Sequence, residues 1–112
     1  MEKIGICGAG LIGSSWAIGF ANAGYTSFVY DNDVNSVENF NKYFNNLLQD
    51  LKIINPNINE DKIRNNIKLD CTIEQMCEGS ILIQESVAED LKVKQDIFRH
   101  LEKLTSKDTI LA

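Results

Sequence analysis

The apolar positions of the chain follow two spacings in alternation. Short, nearly continuous apolar runs predict five β-strands, at residues 3–7, 26–30, 67–69, 80–87 and 109–111. Between these runs, apolar side chains recur every three or four residues, which is the spacing of one helix face. Strands that alternate with helices predict a parallel sheet covered on both faces. Because such crossovers are right-handed, the arrangement that fits is the doubly wound α/β fold.

The two longest predicted helices of the first half have recognisable ends. The first begins at Leu11 and stops at Gly24, and its apolar positions are Ile12, Trp16, Phe20 and Ala23. In the second, Asp33 or Asn35 can act as the N-cap and Pro56 marks the end. The apolar face of this second helix consists of Val37, Phe40, Phe44, Leu47, Leu48 and Leu51.

The second half contains shorter predicted helices and one long one. Asn59 begins a short helix, and Thr72 with Gln75 matches a capping box for a turn that ends at Gly79. The last helix runs from about residue 90 to residue 104, and its apolar face consists of Val93, Ile97, Phe98, Leu101 and Leu104.

A glycine-rich loop joins the first predicted strand to the first helix. Gly8, Gly10 and Gly13 stand at the GxGxxG spacing, with a strand before them and a helix after them. The first glycine permits the tight turn, the second lets backbone N–H groups approach a pyrophosphate, and the third lets the helix pack against the strand. A helix N-terminus then stabilises the anion without a cationic side chain. This context predicts a dinucleotide-binding, or Rossmann, fold.

Asp31 closes the second predicted strand, where such folds carry an acid about 20 residues beyond the glycines. Its carboxylate can accept hydrogen bonds from the hydroxyls of an adenosine ribose, and it would repel a 2′-phosphate. We therefore expect NAD rather than NADP as the cofactor. The alternative is an acid that favours the dipole of the following helix, a role that Asp33 could fill equally well.

A second candidate pair follows the fourth predicted strand. Glu89 and Lys94 lie just beyond it, at the carboxyl edge of the sheet where these folds bind ligands. Lys94 shares the apolar side of its helix and lies near the positive end of the dipole, so an anionic or oxygen-rich partner is expected. The alternative is a lysine paired with Glu89 or Asp90. Glu85 can also face this site, although we rank it below Glu89.

The remaining candidates for chemistry are weaker. His100 is expected to be a surface residue on the flank of the last helix, two turns from the ligand edge. Ser14 and Ser15 can meet a phosphate or cap the helix, and no base lies near either of them in the sequence. Three cysteines and one histidine support neither a disulfide framework nor a zinc site, and buried or half-buried thiols are expected at Cys7, Cys71 and Cys77.

Composition limits the classes of protein that fit. The chain has 112 residues, 44% of them hydrophobic, which suits one domain covering residues 1–112. Its 16 acidic and 11 basic residues argue against a nucleic-acid surface. No apolar stretch approaches the roughly 20 residues of a membrane span, and a strand that begins at residue 3 leaves no room for a signal peptide. A cytoplasmic protein is therefore expected, and an end within a strand predicts part of a longer chain.

Three segments, KIGICGAGLIGSSWAIGFANAGY, ILIQESVAEDLKVKQDIF and DTILA, together with Asp31, resemble the N-terminal NAD-binding domain of the 3-hydroxyacyl-CoA dehydrogenase family. The GSSWA segment with Trp16 is most similar to the branch that contains lambda-crystallin, an L-gulonate 3-dehydrogenase, and carnitine dehydrogenases. The resemblance covers nearly the whole chain. It implies an NAD-dependent oxidoreductase whose sheet continues into a last strand and a helical C-terminal domain beyond residue 112.

The resemblance also implies individual roles. It implies NAD contacts from the backbone around Leu11 and Ile12, and from Asp31, Glu89 and Lys94. It implies that the catalytic residues and most of the substrate site follow residue 112, so this chain alone is expected to be inactive, and the full-length protein is expected to form a homodimer. In CoA-using members the second helix offers a serine and a lysine. An ungapped count from Asp31 reaches Leu47 and Ile54 instead, which disfavours CoA.

Two other classes of function remain open. A non-catalytic module that senses NAD(H) would use the same glycine loop without any missing half. A domain that binds FAD would also use this loop, and a bound yellow chromophore would reveal it.

Overall fold

The computed structural model describes residues 2–86 and 90–112, and these residues form a five-stranded parallel sheet in the order β3-β2-β1-β4-β5. The elements are β1 (Lys3–Cys7), α1 (Leu11–Asn22), β2 (Thr26–Tyr30), α2 (Ser36–Ile54), α3 (Glu60–Asn65), β3 (Ile67–Lys68), α4 (Ile73–Cys77), β4 (Leu82–Glu85), α5 (Leu91–Leu104) and β5 (Ile110–Leu111). This order confirms the predicted doubly wound α/β fold.

The central strand β1 lies between β2 and β4. At its carboxyl end, Cys7 is in register with Tyr30 on one side and with Glu85 on the other. The chain builds outward from β1 first towards β3 and later towards β5, so β1 and β4 flank the point where the direction reverses. In open α/β sheets, ligands bind in the crevice outside the carboxyl ends of the strands at this point.

Two hydrophobic clusters cover the sheet, because successive side chains of β1 point to opposite faces. Ile4 and Ile6 pack with α1, α2 and α3, and the predicted face of α2 contributes Phe40, Phe44 and Leu48 to this cluster. Cys7 packs on the other face with residues of α4, β4 and α5, which are Met76, Cys77, Ile83 and Leu101. The site described below lies at the carboxyl ends of the central strands, next to both clusters.

Helix α1 presents a different face to the core from the one that the sequence pattern indicated. Ile12 and Trp16 are 65% and 45% exposed, whereas the buried positions are Gly13, Ser14, Ala17, Ile18 and Ala21. The start of α1 lies so close to β1 that mainly small side chains fit between them. The larger side chains therefore turn outward, and Trp16 stacks on Phe20 with their ring centroids 5.6 Å apart.

Several element ends also differ from the predictions. Strand β4 begins at Leu82 because Ser80 still belongs to the turn after α4, where its N–H donates to the carbonyl of Cys77. Strand β3 ends at Lys68, shortly before Asp70 bends the chain with a φ of +58°. Residue 87, the predicted end of the fourth strand, lies outside the described residues.

The predicted helix caps have mixed outcomes. Thr72 and Gln75 form the predicted capping box. Asn35 occupies the N-cap position of α2 but makes no side-chain cap bond, and its own N–H donates to the Asp33 carboxylate. Within residues 2–86 and 90–112, no helix is long and apolar enough to cross a membrane.

Candidate functional site

The three loop glycines occupy different environments. Gly8 has a φ of +115° and donates its N–H to the carbonyl of Tyr30 at 2.8 Å, which ties the loop to β2. A Cβ added at Gly13 would lie 1.8 Å from the carbonyl oxygen of Gly8, so only glycine fits there. A Cβ at Gly10 would meet no protein atom within 4 Å. The space beside Gly10 is therefore open to a ligand, as expected if the second glycine admits a pyrophosphate.

The first turn of α1 offers hydrogen-bond donors at the same place. Gly10 is the N-cap residue, and the first helical bond runs from the Ser14 N–H to its carbonyl at 2.8 Å. The N–H groups of Leu11, Ile12 and Gly13 therefore have no acceptor in a preceding turn of the helix. No acidic side chain lies in this turn. Together with the helix dipole, these donors fit the pyrophosphate of a dinucleotide.

The two serines of α1 bond to the backbone of the loop and helix. The buried Ser14 hydroxyl donates to the Ala9 carbonyl at 3.2 Å, and the Ser15 hydroxyl donates to the Leu11 carbonyl at 2.8 Å. The Ser14 bond fixes the loop from inside. These hydroxyls thus stabilise the loop and the helix rather than reaching the space beside Gly10.

Asp31 is held against the glycine loop. Its Oδ2 accepts from the Ala9 N–H at 2.7 Å, and its Oδ1 accepts from the Asp33 N–H at 2.8 Å. A carboxylate has about four lone-pair positions, so acceptor capacity remains for a ligand. Helix α2 begins only at Ser36 and has Glu38 in its first turn, which gives that helix its own acid. The geometry therefore favours the ribose role over the dipole role for Asp31.

A small hollow of about 120 Å³ adjoins Asp31 at the carboxyl end of β2. Its lining consists of Cys7, Tyr30, Asp31, Asn32, Ile73, Ile97 and His100. His100 is exposed, as predicted, but it borders the site, which corrects the prediction that it lies two turns away from the ligand edge. Because Ile97 packs into the core beside the hollow, the residue three positions later on the same helix face reaches its rim.

Of the second predicted pair, Lys94 lies within the described residues and Glu89 does not. The Lys94 Nζ donates to Glu85 Oε2 at 2.7 Å, and the two side chains are 35% and 2% exposed. The predicted lysine partners were Glu89, which lies outside the described residues, and Asp90, which instead caps α5 through the N–H groups of Lys92 and Val93. Among the described residues, Glu85, which the sequence ranked lower, is the carboxylate that pairs with Lys94.

Cys7 lies between the two carboxylates at the end of β1. Burial, with smaller contributions from Glu85, Cys77 and Asp31, raises the pKa of its thiol from 9.0 to about 12. Burial also raises the pKa of Cys71 and Cys77. A thiol in this state is a poor nucleophile, in line with the predicted structural role. Among the described residues, no cluster of histidine, cysteine and acidic side chains could hold a metal ion.

Known proteins with similar sequences support the family resemblance that the motifs indicated. The lambda-crystallin homolog of Homo sapiens is 32% identical over 111 residues, which is 96% of this chain and 34% of that protein. Lambda-crystallin of Oryctolagus cuniculus is 30% identical over 112 residues, again 96% of this chain and 34% of that protein. These matches confirm the resemblance to the lambda-crystallin branch. The chain spans about a third of the length of these relatives.

Solved structures share the fold over nearly the whole chain. A diketoreductase matches 99% of this chain and 40% of its own, with a TM-score of 0.87 and 23% identity. The (S)-3-hydroxybutyryl-CoA dehydrogenase of Ralstonia eutropha matches with the same coverage, a TM-score of 0.84 and 19% identity. The family model described as "3-hydroxyacyl-CoA dehydrogenase, NAD binding domain" matches residues 3–112. The chain therefore belongs to the NAD-binding domain family of the 3-hydroxyacyl-CoA dehydrogenases, and its cofactor is NAD.

Proposed function

We propose that this chain is the cofactor-binding part of a dehydrogenase that oxidises a 3-hydroxyl group, with hydride transfer to NAD. The observation that carries the proposal is the bond between Asp31 and Ala9, which sets a ribose-binding carboxylate beside a pyrophosphate-binding loop. Support also comes from the family, whose description names a dehydrogenase. When bound, NAD supplies the hydride acceptor, and the protein supplies binding and orientation.

The residues of the chain would share this binding along the carboxyl edge of the sheet. Asp31 binds the ribose hydroxyls of the adenosine half, with the adenine over the adjoining hollow. The N–H groups of Leu11 and Ile12 bind the pyrophosphate beside Gly10. Lys94 binds the other half of the dinucleotide, which continues across β1 towards β4. Glu89 remains a predicted contact on sequence grounds alone.

For the substrate, we propose a 3-hydroxy acid, such as L-gulonate or carnitine, rather than a 3-hydroxyacyl-CoA of fatty acid metabolism. Support comes from α2, where the positions at which CoA-using members are expected to offer a serine and a lysine carry Leu47 and Ile54. Leu47 packs against the core, and Ile54 is exposed and apolar. Neither side chain can hydrogen-bond a CoA phosphate or pantetheine.

The proposal assigns catalysis and most substrate contacts to residues beyond this chain. Support for this is its length, about a third of that of the lambda-crystallin relatives. A homodimer as the full-length protein and a cytoplasmic location remain predictions from the sequence and the resemblance.

Parallel calorimetric titrations of NADH, NADPH and FAD onto the 112-residue chain test the cofactor part. We expect saturable binding of NADH and weaker binding of NADPH. Preferential FAD binding would favour a flavin domain instead.

For the full-length protein, NAD reduction with L-gulonate, carnitine and 3-hydroxybutyryl-CoA tests the substrate part, and turnover of the CoA ester alone would contradict the assignment to a hydroxy acid. A sensor without catalysis is not favoured, because the matched family is one of dehydrogenases.

A further inference from the structure

A carboxylate buried beneath the site is the feature that the cofactor-binding scheme leaves unexplained. Glu85 ends β4, its side chain is 2% exposed, and it accepts from the Lys94 ammonium at 2.7 Å. A buried ion pair adds little net stability, since desolvation offsets much of the attraction, and an apolar pair is often equally stable. The next inward residue on the same face of β4 is Ile83, which is fully buried in the apolar core. Stability alone therefore gives no reason for a glutamate at this strand end.

The place of the pair in the sheet suggests the reason. Glu85 is in register with Cys7, the last residue of β1 before the glycine loop. The pair thus stands on the β4 side of the reversal point, where these sheets bind ligands, while Asp31 stands on the β2 side. A dinucleotide whose adenosine half is bound at Asp31 and whose pyrophosphate lies at Gly10 extends its other half towards this pair.

Two effects disfavour a fixed Lys94 ammonium at this place. It lies in the first turn of α5, where the helix dipole disfavours a cation. A lysine side chain also loses rotamer entropy when its ammonium is fixed. The buried Glu85 carboxylate offsets both effects and fixes the ammonium before a ligand arrives. The bond to Glu85 uses one of three ammonium donors, so donors remain for a ligand.

We propose that Glu85 is a positioning residue, whose buried carboxylate holds the Lys94 ammonium in the crevice between β1 and β4 for the nicotinamide half of NAD. This inference rests on the proposed binding scheme. It assigns Glu85 a role in cofactor affinity that acts through Lys94 and requires no contact of its own with the cofactor. ADP, which contains only the adenosine half and the two phosphates, should be insensitive to the pair.

The test is a double-mutant cycle on the 112-residue chain, with dissociation constants for NADH and ADP measured by calorimetry. Lys94→Met should weaken NADH binding about tenfold, since a hydrogen bond to a charged group is lost. Glu85→Gln should weaken it roughly threefold to tenfold. The double variant should bind NADH no more weakly than Lys94→Met, because Glu85 acts through a side chain that is already gone. ADP affinity should stay within about twofold in all variants that fold.

Matched controls separate this role from general effects of charge or stability. Lys92→Met removes an exposed lysine from the same helix turn, and Glu102→Gln removes an exposed acid from the same helix. Both should bind NADH and ADP as the unaltered chain does. The double variant also leaves no unpaired buried charge, so it remains informative if Lys94→Met unfolds.

Each outcome decides the inference. Losses for NADH that add up in the double variant, or equal losses for NADH and ADP, would overturn the positioning role. Unchanged NADH binding by Glu85→Gln would do the same, since Lys94 would then find its place unaided. If the unaltered chain binds NADH no more tightly than ADP, the nicotinamide half adds no affinity. The proposed binding scheme is then wrong on the β4 side. If it binds neither ligand, the cofactor assignment fails first.

Discussion

Two carboxylates lie at the ends of β2 and β4, on either side of β1, and are stabilised in different ways. Asp31, after β2, is partly exposed and accepts two backbone N–H groups, from Ala9 and Asp33. Glu85, at the end of β4, is buried and accepts from the ammonium of Lys94. Both lie beside the end of β1, one on each side. The first is stabilised by fixed dipoles of the backbone, and the second by a full charge on a long side chain.

This difference indicates different work. Backbone donors stabilise the Asp31 carboxylate, and no salt bridge pairs it with a cation within residues 2–86 and 90–112, so it can both accept from ribose hydroxyls and repel a 2′-phosphate. The Glu85 carboxylate is paired with an ammonium, and the donors that remain for a ligand belong to Lys94. We therefore regard Asp31 as a residue that selects the cofactor and Glu85 as one that orients another residue.

The largest expected effect comes from the loop between them. Gly13→Ala should lower the free energy of unfolding by about 3 kcal/mol or more, because the new methyl group would overlap the Gly8 carbonyl oxygen, and backbone cannot move as a side chain can. Movement of the loop would also carry Ala9 away from Asp31. Urea unfolding and NADH titration measure the two consequences.

Gly10→Ala is the matched control for that change. Its methyl group meets no protein atom, so stability should change by less than about 1 kcal/mol, while NADH binding should weaken because the methyl group fills the space beside the loop. If Gly10→Ala binds NADH as well as the unaltered chain does, the pyrophosphate does not lie there.

The second effect separates the two carboxylates by stability. Lys94→Met leaves Glu85 buried without its cation, and we expect a loss of about 2 kcal/mol, below the range for a fully buried pair because Lys94 is one-third exposed. For a chain of this size the melting temperature should fall by about 10 °C. Adding Glu85→Gln should restore at least half of the loss, as a thermal melt would show. No recovery would mean that Lys94 stabilises the domain through other contacts.

Asp31→Ala tests the other end of the comparison. NADH binding should weaken about tenfold, because the ribose hydroxyls and the Ala9 N–H lose their acceptor. NADPH binding should weaken less or improve, since the repulsion of its 2′-phosphate is removed. Parallel titrations give the ratio of the two affinities. An unchanged ratio would remove Asp31 from cofactor selection and leave it only a role in holding the loop.

The Asp31 side of the site could be predicted from the sequence better than the Glu85 side. Gly8, Gly10 and Gly13 follow one strand directly, and their spacing alone implies the turn and the approach of a phosphate. The bond from Ala9 to Asp31 joins the glycine loop to the residue that follows β2, and periodicity carries no information about such a contact. Likewise, the ion pair between Glu85 and Lys94 joins the end of β4 to the first turn of α5, and no local pattern specifies it.

The face of α1 was misjudged for a related reason. Ile12 and Trp16 have the spacing of a buried stripe, and hydrophobicity alone favours them over Gly13 and Ser14. The start of this helix lies so close to the end of β1 that a Cβ at Gly13 would overlap the chain there. This closeness reverses the preference and places small residues on the buried face. The Ile12 N–H, in the first turn of α1, is then available to a pyrophosphate.

The last expected effect uses Cys7 as a reporter that lies between the two carboxylates. Its thiol pKa is 9.0 in an open environment and about 12 in the folded chain. A raised folded-state pKa means that the unfolded chain loses this proton first, so the contribution is complete below pH 9 and is lost as the pH rises towards 12. The free energy of unfolding should fall by up to about 1.4 kcal/mol per pH unit in that window. Urea unfolding between pH 8.5 and about 10.5 should show a steeper fall for the unaltered chain than for Cys7→Ala.

The same measurement ranks the two carboxylates. Of their contributions to the raised pKa of Cys7, that of Glu85 is larger than that of Asp31. Glu85→Gln should therefore bring the Cys7 pKa further back towards 9.0 than Asp31→Asn does, and the alkaline loss of stability should end at a lower pH. A larger effect of Asp31→Asn would mean that the Lys94 ammonium screens Glu85 from Cys7. The charge of Glu85 would then be cancelled locally, and the dipole-stabilised charge of Asp31 would act over the longer range.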